Sequence, residues 1–217
     1  MHAEQLRSAL SAVVARRRLL AHAFYRRWSA GELSRDELRA YAAQYRHVEA
    51  AVPDILRTIA GGSSDAIVRL QVMRTLADEV GGDGVPSHLE LFDQFAAALD
   101  APVPPASPAT VKLVEVLSGL AERSAATGLA GLSAYEMQSP EVSATKATGL
   151  RQWYGLDGGA VAFWDTHATA DVEHAGWLID ALAGVDAGVE TVTAAAGAAA
   201  DAWWAFLDER EAAPRVS

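Results

Sequence analysis

The spacing of the apolar residues constrains the fold of this chain more than any other feature of its sequence. Over residues 3–29 apolar side chains recur every three or four positions, from Leu6 and Leu10 to Phe24 and Trp28, as on the buried face of an α-helix. Later segments repeat this period, and no stretch shows the sustained period-two alternation with β-branched residues that indicates a strand. The sequence therefore predicts an all-α protein.

Capping residues and helix breakers divide the chain into segments. Gly31 ends the first segment, and Ser34 with Glu37 forms a capping box that begins the second, in which Pro53 should introduce a bend. We expect one domain over residues 1–217, a bundle of about eight helices. The predicted helices cover residues 3–29, 34–60, 64–80, 87–99, 108–125, 128–138, 140–153, 158–183 and 187–210.

The charge balance argues against nucleic acid and anionic membranes as partners. The chain carries 28 acidic and 18 basic residues, a formal net charge of −10, whereas both of these partners select basic patches. No apolar run is long enough for a transmembrane helix. Arginines 16–18 interrupt the first apolar block, which does not resemble a targeting signal. We therefore expect a soluble cytoplasmic protein.

The absence of cysteine limits the chemistry that this chain can perform. With no cysteine there is no disulfide framework, no thiolate metal site and no cysteine nucleophile. Any bound metal must be held by histidine and carboxylate side chains, which suit iron, manganese or zinc.

The stretch HATADVEH places His167, Asp171 and His174 on one face of a helix, at positions i, i+4 and i+7. Such a polar stripe is either solvated or part of a metal site. Trp164 and Leu178 share the same spacing and are large and apolar, which favours a buried stripe.

A metal site in a helical bundle needs ligands from several facing helices. Glu79 at one helix end, His88 at the start of the next helix and Glu136 in an apolar stretch could supply them. Asp78 is as good a candidate as Glu79, and either residue could simply be solvated at a helix end. Glu136 is harder to explain in that way, because a buried carboxylate without a partner is costly. This mixed nitrogen and oxygen set suits two iron or manganese ions.

Four segments together resemble, in order and spacing, the CADD-like family (chlamydial protein associating with death domains) of haem-oxygenase-like dimetal oxidases. The most specific parts are the YExQxP stretch, with a lysine ten residues after its glutamate, and HxxxDxxH preceded by an aromatic pair. The similarity extends over essentially the whole chain and implies the helical bundle shared by the TenA and PqqC proteins. The segments are HAFYRRWSAGELSRDELRAYAAQY, DEVGGDGVPSHLELF, AYEMQSPEVSATKATGLRQWYGL and FWDTHATADVEHA.

The resemblance implies both a ligand set and a reaction. The family makes 4-aminobenzoate for folate by oxidising one of its own tyrosines with O2, two metal ions (Fe/Fe or Fe/Mn) and an external reductant. Tyr25 matches the sacrificed tyrosine, Lys146 matches the nitrogen donor, and Tyr41 and Tyr135 match tyrosines near the metals. The family's metal ligands fall on Glu79, His88, Glu136, His167, Asp171 and His174.

Two departures from the family pattern leave the substrate open. The segment between Glu79 and His88 is longer than in close family members, and its EVGGDG resembles oxidases of free amino acids or guanidines. Glu49 replaces an expected apolar residue and is either a seventh ligand or a surface glutamate. The alternative function is therefore a dimetal N-oxygenase or C–C-cleaving enzyme acting on a small amino acid, amine or fatty acid.

Two other functional classes compete with the oxidases. A TenA-like hydrolase is disfavoured because those enzymes rely on a cysteine, and a metal-free interaction protein is the remaining rival. We also expect a homodimer, to which Trp203 and Trp204 could contribute an apolar contact.

Overall fold

Ten α-helices make up most of residues 3–213, the part of the chain that the computed structural model describes. No strand forms within these residues, so the all-α prediction is confirmed. None of the described helices has both the length and the apolar character needed to cross a membrane. The helices are α1 (Ala3–Val14), α2 (Ala23–Ala30), α3 (Arg35–Gly62), α4 (Ala66–Val80), α5 (His88–Ala98), α6 (Pro108–Arg123), α7 (Ala125–Glu136), α8 (Ser139–Tyr154), α9 (Gly159–Ala183) and α10 (Val189–Ala212).

The predicted helix over residues 3–29 is wrong, because the chain breaks between α1 and α2. Two 3₁₀ turns fill the gap, and Arg18 and His22 adopt extended backbone conformations. The His22 ring accepts a hydrogen bond from the backbone N–H of Phe24 (3.1 Å) and so caps a new helix. This break divides the first of the nine predicted helical ranges in two and places Tyr25 on a short helix of its own.

Helix α3 begins at the predicted capping box and continues without interruption through Pro53. The Ser34 hydroxyl accepts from the N–H of Glu37 (3.2 Å), and the Glu37 carboxylate accepts from the N–H of Ser34 (2.8 Å). Tyr41, Tyr45 and Glu49 then follow at intervals of four residues, so one buried face of α3 carries all three.

The short connection between α4 and α5 brings two predicted ligands together. Gly81 has a φ of 64°, and a Cβ atom there would come within 2.5 Å of the carbonyl oxygen of Val85. Only glycine fits this conformation and this space without strain. The tight turn lets Glu79, near the end of α4, approach His88, the first residue of α5.

Helix α9 packs against α4, α5, α7 and α8, and therefore lies among the helices that carry the other predicted ligands. Buried apolar side chains from all ten helices form one core cluster. Trp203 belongs to this core with 3% of its surface exposed, so it cannot supply the dimer contact expected of it. The terminal residues 1–2 and 214–217 of the expected single domain lie outside the described part of the chain.

Candidate metal centre

Six buried or half-buried side chains from four helices converge as two groups of three. Within each group, one potential ligand atom from each residue lies within 4.8 Å of the other two. The first group is Glu79, His88 and His167, and the second is Glu136, Asp171 and His174. These are the six residues for which the sequence predicts a metal-binding role, and the bundle brings all of them together.

The two groups are neighbours. The His88 ring lies 4.3 Å from the His167 ring and 6.1 Å from the His174 ring, measured between ring centroids. The His88 ring is thus close to a ring of its own group and to a ring of the other, and the two groups adjoin at this residue.

Several polar atoms of this centre are buried without a hydrogen-bond partner. They include Nδ1 of His88 and of His174, Oε2 of Glu136 and both carboxylate oxygens of Asp171. Nδ1 of His88 lies 3.0 Å from Oε2 of Glu79, yet the two atoms do not have hydrogen-bonding geometry. Buried polar atoms are normally satisfied. Donor atoms that face one another closely without bonding fit a shared cation, so the residues present suit the metal ions that the sequence predicts.

Hydrogen bonds behind the centre orient two of its histidines. Nδ1 of His167 lies 2.8 Å from the carbonyl oxygen of Phe163, which leaves Nε2 to face the centre. Nε2 of His174 lies 3.1 Å from a carboxylate oxygen of Asp78, which leaves Nδ1 facing the Asp171 carboxylate 3.3 Å away. Asp78 therefore supports a ligand from outside, and Glu79 is the member of this adjacent pair that faces the centre.

The centre concentrates negative charge. Burial, together with the charge of Asp171, raises the pKa of Glu136 well above its usual value. Burial alone would lower the pKa of His174, but its interactions with Asp171 and with the charge of Glu136 raise it to about 10. Burial lowers the pKa of His167. Carboxylates crowded in this way favour positive charge, which two metal ions would provide.

Glu49 is not a surface residue, because only 7% of its area is exposed. It lines a small cavity with Glu79, Glu136 and His167, although it belongs to neither group of three. Burial and the charge of Glu79 raise its pKa well above the usual value. The cavity measures about 30 Å³, close to the volume of one water molecule.

The tyrosines and the lysine singled out by the resemblance form a second buried cluster. The Tyr25 and Tyr41 hydroxyls lie 2.9 Å apart, and Nζ of Lys146 donates a hydrogen bond to the Tyr41 hydroxyl (2.7 Å). Nζ also lies 4.5 Å from the centre of the Tyr25 ring. Tyr135 is separate from these three residues, since its hydroxyl lies 2.7 Å from that of Tyr45 and its ring stacks on Trp203.

Lys146 is almost fully buried among aromatic rings, and its Nζ lies 4.0 Å from the centre of the Trp164 ring. Burial lowers the pKa of this amine well below the usual value, although the charge of Glu49 partly opposes the effect. A neutral lysine amine is a nucleophile.

Sequence reasoning missed Tyr45, which lies between the two clusters. Its ring stacks on Tyr41 with centroids 5.4 Å apart, and its hydroxyl bonds to Tyr135. Its position four residues after Tyr41 and four before Glu49 indicates, from the sequence alone, that all three side chains share one face of the helix.

Comparison with known protein families places most of the chain in one of them. Residues 39–206 match the haem-oxygenase-like family described as iron-containing redox enzymes. A protein of Nitrosomonas europaea named 4-aminobenzoate synthase is 34% identical, over 96% of this chain and 92% of its own. A protein of the same name from Chlamydia pneumoniae is 33% identical over 72% of each chain.

Solved structures share the fold. A TenA homologue from Pseudomonas syringae superposes with a TM-score of 0.81 at 17% identity, covering 97% of this chain and 96% of its own. A CADD-like protein of unknown function from Nostoc punctiforme gives a TM-score of 0.76 at 19% identity, covering 95% of this chain and 97% of its own. At these identities the two structures support the fold alone.

Replacing Asp171 by alanine should remove metal while keeping the helix. We expect Asp171→Ala to retain one metal ion per chain or none after anaerobic loading with Fe²⁺ and desalting, as measured by elemental analysis. The metal-free variant should be at least as stable as metal-free wild type, because a buried carboxylate without a partner is costly. Asp165→Ala is the matched control, since Asp165 lies on the same helix and pairs with Arg151 at the surface. Two tightly held ions in Asp171→Ala would contradict the assignment.

The buried amine of Lys146 predicts a pH-dependent difference in stability. In the unfolded chain the lysine amine has a pKa of about 10.4, whereas in the folded chain its pKa is lower and the amine stays neutral. As pH falls below about 10.4, the free energy of unfolding of wild type therefore decreases by about 1.4 kcal/mol per pH unit, until the pH reaches the folded pKa. Lys146→Met has no amine to protonate and so lacks this pH-dependent decrease. In urea unfolding of the metal-free proteins, its free energy of unfolding should exceed that of wild type at pH 7, and the difference should become smaller towards pH 10. The exposed Lys112 provides the control, Lys112→Met. A difference that does not change with pH would contradict the neutral amine.

Proposed function

We propose that this chain, which belongs to the haem-oxygenase-like family of iron-containing redox enzymes, makes 4-aminobenzoate from one of its own tyrosines. The ring of Tyr25 becomes the ring of the product, and Lys146 supplies the nitrogen. The two relatives named 4-aminobenzoate synthase, from Nitrosomonas europaea and Chlamydia pneumoniae, support this assignment through their similarity over most of the chain.

The observation that carries the proposal is the contact between Lys146 and Tyr25. The amine lies 4.5 Å from the centre of the Tyr25 ring, and both side chains are buried. The cavity beside the predicted ligands, at about 30 Å³, admits a molecule the size of O2 or water and is too small for a free amino acid or fatty acid. An enzyme whose substrate is already part of the core needs no larger space.

The six residues of the two groups would hold two metal ions, iron with iron or iron with manganese. When bound, these ions would activate O2 with electrons from an external reductant. Glu49 lines the same cavity and is available as a further ligand or a hydrogen-bond acceptor.

The chain's own residues position the reacting groups. The Tyr41 hydroxyl bonds both to the Tyr25 hydroxyl and to the Lys146 amine, and so holds the donor of nitrogen beside the ring that receives it. Surrounding aromatic rings exclude water and keep the amine neutral. Burial raises the pKa of Tyr25 and Tyr41 well above the usual value, so both phenols remain protonated until they are oxidised.

The remaining expectations belong to the same proposal. The protein would act in the cytoplasm as a homodimer, without nucleic acid, and as one domain over residues 1–217. An N-oxygenase or C–C-cleaving enzyme for an external amino acid, amine or fatty acid is the rival function. It would need a larger cavity than the one lined by Glu49 and the predicted ligands.

Isotope labelling tests the proposal. Protein grown with ring-¹³C-tyrosine, loaded with iron or iron plus manganese and given reductant and O2 without substrate, should release ring-labelled 4-aminobenzoate, at most one molecule per chain. Tyr25→Phe should release none above background, because phenylalanine cannot be oxidised in the same way, whereas Tyr154→Phe should behave as wild type. Mass spectrometry of the product and of the residual protein provides the measurement.

An equal yield of 4-aminobenzoate from Tyr25→Phe would exclude Tyr25 as the internal substrate. Release of many product molecules per chain would exclude it as well.

A further inference from the structure

We propose that Tyr45 carries the oxidising equivalent from the metal-side cavity to the Tyr25–Tyr41 pair. The inference rests on the proposed function and concerns the route by which an oxidant formed in one compartment reaches a ring in another. Tyr45 would be oxidised and restored in each reaction, whereas Tyr25 would be consumed.

The two compartments do not touch directly. Tyr45 and Tyr135 line the cavity together with Glu49 and the predicted ligands, whereas Tyr25, Tyr41 and Lys146 are absent from its described wall. An oxidant confined to this cavity must therefore pass through one of the residues that line it before it can reach Tyr25.

Tyr45 has contacts on both sides. Its ring stacks on the Tyr41 ring, with centroids 5.4 Å apart and an interplanar angle of 27°. Tyr41 in turn shares a 2.9 Å hydrogen bond with Tyr25. Electron transfer between stacked rings in contact is fast, because donor and acceptor orbitals overlap. The path from the cavity to Tyr25 thus needs only Tyr45 and Tyr41.

The other aromatic residues near the cavity are poorer candidates. Tyr135 hydrogen-bonds to Tyr45 and stacks on Trp203 with ring centroids 4.3 Å apart, which directs it towards α10 rather than towards Tyr25. Trp164 contacts Tyr45 but is not part of the described cavity wall. Phe92 also stacks on Tyr45, but a phenylalanine ring has no hydroxyl and is too hard to oxidise to serve.

The steps balance as a one-electron relay. Tyr45 gives one electron and its O–H proton to an O2-derived oxidant in the cavity that it lines. The resulting tyrosyl radical takes an electron from the Tyr25–Tyr41 pair through the stacked Tyr41 ring and takes a proton back from the reduced oxidant in the cavity. The oxidised pair gives one proton to the amine of Lys146, which is hydrogen-bonded to Tyr41. Tyr25 ends as the radical, and the oxidant is reduced by one electron.

Removing the Tyr45 hydroxyl tests the relay. Tyr45→Phe keeps the ring that packs on Tyr41 and Phe92 but is redox-inert. After reduced, metal-loaded protein is mixed with O2 and freeze-quenched, the electron paramagnetic resonance signal of the tyrosyl radical should fall by about tenfold or more. Metal content, measured by elemental analysis, should stay at the wild-type value. Tyr154→Phe, which removes a hydroxyl far from the cavity, should leave the signal unchanged. A full radical signal in Tyr45→Phe would overturn the proposal.

A second variant retains a phenol at the site and keeps the test independent of folding. With 3,5-difluorotyrosine at position 45, the earliest radical should show fluorine hyperfine splitting, which only a radical on that ring can give. An early radical without this splitting would overturn the relay.

The outcome can be separated from the fate of the proposed function. Radical location is read by resonance and the product by mass spectrometry, so a protein that forms the Tyr45 radical but releases no 4-aminobenzoate would retain the relay and lose the proposed function.

Discussion

The crowding of carboxylates in the core is the constraint on which the rest of the structure depends. Glu49, Glu79 and Glu136 are buried or half-buried around one small cavity, and Asp171 lies beside Glu136 in the second group of three. Burying an unpaired charge costs several kcal/mol per group, and the folded state tolerates this cost only when another interaction offsets it. Two divalent ions bound to the proposed ligands on α9 and its neighbours would offset this cost.

This constraint explains why the molecule has two compartments rather than one. The polar cavity needs carboxylates and histidines, whereas a neutral lysine amine and protonated phenols need an apolar surrounding. Trp164, Tyr45 and Phe163 form the boundary between these environments. The Trp164 ring contacts the Lys146 amine on one side and the Phe163 ring on the other. Helix α3 spans both compartments, because Tyr41 faces the amine while Glu49, two turns later, faces the cavity. Helix α3 is therefore one element that joins the two compartments.

The helical class and the stripe of His167, Asp171 and His174 could be predicted from the residues, because the helical period and the spacing within HATADVEH are local properties. The full set of six converging residues was implied by the resemblance to the CADD-like family. The break before α2 could not be predicted from sequence, since Leu20 and Phe24 keep a helical spacing beyond the three arginines, and the break depends on contacts such as that from the N–H of Leu19 to Gln138 (2.8 Å). Nor could the sequence decide between Asp78 and Glu79, because the rotation of α4 is set by its packing on α9. The burial of Glu49 has the same origin, since one more glutamate on a long helix looks solvated until its neighbours are known.

The central claim, that the two groups of three side chains each hold a metal ion, can be tested most directly by anomalous X-ray diffraction. Crystals of wild-type protein, grown anaerobically with Fe²⁺, would be measured on both sides of the iron absorption edge. We expect two anomalous peaks per chain, one bounded by Glu79, His88 and His167 and the other by Glu136, Asp171 and His174. A single peak, no peak, or iron bound away from these side chains would contradict this assignment.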